Sequence, residues 1–190
     1  MLRQILTSVA AVVSASTPAF ATDASANFVT RLFIDVCIPN VGRPENVRAW
    51  ALDRKLAEVR DPLALNVFAG EGDRGAAWAL PTSYGSFALA IRGKTQACAV
   101  YARAADPADV EAYFKRLLEG AARPGLVLKT VEDTTAQGST GTIHTLIYSV
   151  SNVGQGERGN LYTLQTLEKA GGAFQASLQV VNYDNASPSR

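Results

Sequence analysis

The chain has 190 residues, 18 of them basic and 17 acidic, for a formal net charge of +1 with the signs interspersed. Near-neutrality argues against a nucleic-acid partner, which wants a basic face, and against a polybasic membrane anchor. A chain of this size suits one domain, burying roughly 70% of its unfolded surface without a metal staple.

Residues 1–21 carry a positive n-region at Arg3, an apolar small-residue stretch over 5–16, and Ala19-Phe20-Ala21, the A-x-A pattern read by signal peptidase. The expectation is a cleaved signal peptide and a mature chain from Thr22, periplasmic or secreted. No cysteine stands at the new N-terminus to take a lipid. No apolar run of about 18 residues follows the leader, so no transmembrane segment is expected. In an oxidising compartment the two cysteines, Cys37 and Cys98, read as one structural disulfide. A redox pair would want a C-x-x-C or a neighbouring histidine or lysine, and neither is present.

Residues 26–37 predict a helix: Phe28, Val29, Leu32, Phe33, Val36 and Cys37 fill one arc, opposite Asn27, Arg31 and Asp35. Pro39 stops it. Pro44 at a first helical position, with Glu45 behind it, opens a second helix to about residue 59, striped by Ala49, Leu52, Leu56 and Val59. Trp50 falls on the other side, either covered or an exposed anchor for a partner. Asp61-Pro62 reads as turn chemistry. Four strand-like runs follow at 65–69, 76–80, 87–92 and 97–103, separated by Gly- and Pro-rich turns.

Asp106 is an N-cap, Pro107 takes the first helical position, and Val110, Tyr113, Phe114, Leu117 and Leu118 stripe a helix that Gly120 ends. Four more strands are expected at 126–132, 142–150, 161–167 and 173–184, then a flexible tail over 185–190. The fold class is α+β: antiparallel sheet of about 7–8 strands with three helices, in a single domain over 22–184.

One pattern occurs twice. Gly70-Glu71-Gly72-Asp73-Arg74-Gly75 and Gly154-Gln155-Gly156-Glu157-Arg158-Gly159 share G-x-G-acid-Arg-G, each between strand-like runs and each followed by an aromatic, Trp78 or Tyr162. Gly85-Ser86-Phe87 and Gly172-Ala173-Phe174 echo each other further on, which suggests a degenerate internal duplication with half-repeats at 40–105 and 106–184. A dinucleotide fingerprint needs a helix to open from the glycine turn, and strands follow both copies. The bland reading is a solvated loop whose glycines supply positive φ. The sharper one makes Asp73, Arg74, Glu157 and Arg158, with Trp50 or Trp78, a surface for a protein partner, because arginine forks suit carboxylates.

No catalytic residue is assigned. His144, the single histidine, shares a strand face with Leu146, Tyr148 and Val150 and reads as a core residue. There is no G-x-S-x-G elbow, no zinc-ligand cluster and no calcium loop; neither metal nor cofactor is expected. The leading expectation is a non-enzymatic, protein-binding envelope protein: an inhibitor, immunity or accessory domain. One alternative is an envelope-polymer hydrolase or lyase with a cleft holding Tyr84, Tyr148 or an acid beside arginine. Another is a binder of a small apolar ligand.

Phe33-x-x-x-Cys37, the helix from Pro44, Gly75-Ala76-Ala77-Trp78, and Ala97-Cys98-Ala99-Val100 leading into 106–118 also resemble an uncharacterised family of small exported bacterial proteins, some of them lipoproteins. The resemblance covers about 27–118 and implies location and fold, with no catalytic residue carried over.

Overall fold

The computed structural model describes residues 23–72, 74–138, 141–154, 158–169 and 172–184. The leader, Asp73, Glu157 and the tail from 185 lie outside the described residues.

Helix α1 (Ala24–Leu32) starts where Asp23 caps it, accepting from the Ser25 amide at 2.9 Å. It continues through one π-helical turn (Phe33–Cys37) and one 3-10 turn (Ile38–Asn40). Helix α2 (Pro44–Asp53) is shorter than its sequence suggests. Lys55 turns left-handed at φ 53, and the Leu56 amide closes back onto the Ala51 carbonyl at 3.1 Å. Leu56 and Val59 therefore fall outside the helix. The buried face is Val47 and Ala51, while Leu52 of the expected stripe is 70% exposed.

A two-residue strand β1 (Ala57–Glu58) precedes a helix, α3 (Pro62–Ala69), where a strand was expected over 65–69. The Asp61 carboxylate accepts from the Ala64 amide at 2.8 Å and Pro62 takes the first position. That Asp-Pro pair is a helix start, not a turn, and there are four α-helices among the described residues rather than three. Strands β2 (Ala76–Thr82), β3 (Gly85–Ile91) and β4 (Cys98–Ala102) form a meander. Helix α4 (Pro107–Gly120) follows. A second meander comprises β5 (Leu126–Gly138), β6 (Gly141–Asn152), β7 (Arg158–Leu167) and β8 (Ala176–Asp184).

All eight strands form one antiparallel sheet in the order β1-β2-β3-β4-β8-β7-β6-β5. The two meanders meet at the centre, where Cys98 stands opposite Val180 and Ala102 opposite Ala176. Strand alternation sends Trp78, Leu89, Ile91, Val100, Leu146, Leu164 and Leu178 to one face. There they pack with Val29 and Phe33 of the first helical segment and Phe114 of α4. The first turns of α1 and α4 cap each other: Asp23 donates its amide to Asp109 at 2.8 Å, and its carboxylate accepts from the Asp106 amide. The Cys37–Cys98 disulfide, with Cα atoms 5.3 Å apart, ties the π-helical turn to β4.

On the opposite face, Ala77, Ala88, Ala90 and Ala99 are small enough for α3 to lie close, and Leu65 and Phe68 pack there with Phe174 and Tyr101. The Tyr101 hydroxyl donates to the Phe68 carbonyl at 2.7 Å, and Arg92 donates to the same carbonyl. Burial raises the Tyr101 pKa, with Arg92 opposing it. The glycine loop after α3 rests on the β3–β4 turn so closely that a Cβ on Gly93 would stand 2.5 Å from the Gly72 carbonyl.

Two outcomes test this arrangement. Replacing both Cys37 and Cys98 by alanine should lower stability by about 2–4 kcal/mol, the range for freeing a long loop, read as a lower urea midpoint; an unchanged midpoint contradicts it. Asp61→Ala should cost about 1 kcal/mol as a lost N-cap, where a strand at this position would leave stability unaltered.

Candidate functional site

The antiparallel order sets the starts of β2, β4, β5 and β7 at one end of the sheet with the ends of β3, β6 and β8. At this end β8 runs on past its last partner in β4, Val180 opposite Cys98, to Asp184, which stands opposite Arg158. The second meander therefore overhangs the first. On the helix-packed face of the overhang the side chains change character outward. Tyr162 pairs with Val180, then Asn160 with Asn182, and Arg158 lies outermost. The C-terminal turn of α4 and the 3-10 turn roof this overhang.

Between roof and overhang lies a cleft of about 830 Å³, lined by Ile38, Leu117, Leu118, Arg123, Leu126, Val150, Asn160, Tyr162 and Asn182 among others. Arg158 stands at its rim. Burial raises the Tyr162 pKa, and a hydrogen bond with Asn160 partly opposes this. A second cleft of about 540 Å³ adjoins it, lined by Gly42, Arg48, Arg74, Gln96 and Asn182. Asn182 lines both. Arg48 donates to the Arg74 carbonyl and lies 3.7 Å from Glu45.

The two arginine-bearing loops thus serve one end of the sheet. Their strands are four positions apart in the order, about 19 Å by strand spacing. They do not occupy equivalent places: the first joins α3 to β2, not two strands, and the second joins β6 to β7. The internal duplication suggested by the sequence echo is not shown. Trp78 is buried in the core at 3% exposure. Trp50 is half-buried against the same core, with the Arg54 guanidinium 4.1 Å above its ring. Neither tryptophan is an open anchor. Tyr84 lies at the far end of the sheet, in the β2–β3 turn, 5.6 Å from the Phe28 ring, while Tyr148 packs 6.0 Å from Phe114.

His144 is not the apolar-satisfied residue expected. Its Nδ1 lies 3.0 Å from Glu111 of α4 and its Nε2 2.9 Å from Asp133 of β5. Lys115 donates to the other Glu111 oxygen at 2.7 Å. The edge of the sheet brings these together: β6 places His144 beside β5, and the start of α4 crosses above. The hydrogen bond to Asp133, helped by Glu111, raises the His144 pKa above its ordinary 6.5, against the pull of desolvation. Each ring nitrogen faces a carboxylate, so the imidazole bridges the helix and the edge strands. Both cysteines are in the disulfide.

Because the folded state holds the proton more tightly than the unfolded chain, the bridge's contribution is complete below about pH 6.5, the unfolded value. It is lost as pH rises through the raised folded value. Unfolding followed from pH 5.5 to 9 should show a loss in the native chain that His144→Gln flattens; parallel curves contradict the bridge.

Comparison of the chain with protein-family models, with curated proteins and with solved structures finds no match.

Proposed function

We propose that the chain is an exported, non-enzymatic binding protein of the cell envelope, which recognises a protein partner at the Arg74–Arg158 end of its sheet. The observation that carries this reading is the adjoining pair of clefts, one beside each arginine loop, joined through Asn182. A rigid sheet end presenting loops and clefts is the common way a scaffold displays a recognition surface. Arginine, tyrosine and asparagine side chains around adjoining clefts are residue types that suit the surface of a polypeptide.

Export is supported by the leader pattern over residues 1–21 and by a disulfide of the kind that persists in oxidising compartments. No helix among the described residues is long and apolar enough to cross a membrane. The non-enzymatic character is supported by a histidine held at both nitrogens and by cysteines bonded to each other.

Photo-crosslinking residues placed singly at 74, 158 and 83 in the full chain test the reading in the producing cell. The same discrete protein adduct is expected at 74 and 158 and absent at 83, in the turn at the opposite end. No protein adduct at either arginine position, or the same adduct at all three, overturns it.

A further inference from the structure

We infer that the larger cleft binds a straight-chain carboxylate, with the aliphatic body between helix α4 and the overhanging strands and the carboxylate at Arg123. This goes beyond the protein-binding reading and does not depend on it.

The cleft's volume of about 830 Å³ falls within the roughly 300–1,000 Å³ of small-molecule sites. Its inner wall is aliphatic: Ile38 from the 3-10 turn, Leu117 from α4, Leu126 from β5 and Val150 from β6. Leu126 and Val150 lie on the helix-packed face of neighbouring strands, Leu126 opposite Asn152 and Val150 opposite Asn160. The outer wall is cationic. Arg123, on the connection from α4 to β5, and Arg158, opening β7, both line the cleft, and no carboxylate does among the described residues.

An apolar body therefore meets apolar walls, and an anionic head meets guanidinium at the rim, whose fork matches the two oxygens of a carboxylate. Arg158 already has an interaction of its own, which is why the head group is assigned to Arg123. A cationic amphiphile would set like charges together, and a neutral alcohol of the same length would bring the body without the anchor.

Calorimetric titration of the full disulfide-bonded chain with decanoate, decanol and decyltrimethylammonium below their aggregation limits tests the assignment. Methyl chemical shifts of Leu117 and Val150 report the location. One decanoate is expected per chain, with shifts at those methyls and binding weaker by about tenfold or more for the other two amphiphiles. Arg123→Glu should weaken decanoate to the same extent while leaving the thermal midpoint unchanged, since Arg123 is exposed on a connecting segment. Leu117→Glu, placing a like charge in the wall, should weaken it too. Absence of decanoate binding, equal binding of all three amphiphiles, shifts elsewhere than in the cleft, or full retention in Arg123→Glu overturns the inference. None of these results bears on the crosslinking outcome.

Discussion

Pairing of β4 with β8 is the constraint on which the remaining architecture depends. Each meander is local: every strand hydrogen-bonds to its predecessor or successor, and only the central pair joins residues 98–102 to residues 176–180. Closing so long a loop costs conformational entropy before any contact offsets it. The compensation comes from the face that closure creates. Val100, Leu178 and Val180 at the seam are buried, and they complete a continuous apolar surface for α1 and α4. Two further ties act at opposite ends of that surface. The disulfide fixes the first residue of β4 to the turn after α1, and the shared cap of Asp23, Asp106 and Asp109 fixes the starts of the two helices.

The clefts follow from the same seam. Strands of the first meander stop near Cys98, those of the second continue, and α4 returns over the surplus. A helix held near its start by Glu111 and His144 reaches the other end of the sheet with its last turn above polar side chains. Arg158, Asn160 and Asn182 stand there because that part of the face lies beyond the core and is not sealed by it. Position in the sheet, not residue type alone, brings them together.

Much of this was legible in the residues. Asp106-Pro107 and the Val110–Phe114–Leu118 stripe specify α4, and alternation specifies β3 and β4 on both faces. Helix α3 is ambiguous in sequence because a short apolar run over 65–69 fits strand and helix alike, although Asp61-Pro62 repeats the start signal of Asp106-Pro107. Helix α2 was overextended because its stop is a left-handed lysine, Lys55, where glycine usually stands. The Arg74 and Arg158 loops were found by their repeated pattern, yet the clefts were not. Their signal is Asn160 and Asn182, which stand beyond the apolar Leu164 and Tyr162 of β7 and Leu178 and Val180 of β8 on one face, but their pairing depends on register. The setting of His144 is hidden for a related reason: its partners come from α4 and β5, and nothing in the local sequence announces either.

Native-state hydrogen exchange resolved by residue tests the central seam most directly. Amides of Val100 in β4 and Leu178 in β8 are predicted to exchange last and together, through global opening, with protection falling toward β1 and β5 at the edges. If β8 instead opens together with β5, β6 and β7 while β4 stays protected, the two meanders are separate units and the account of a sheet closed at its centre is wrong.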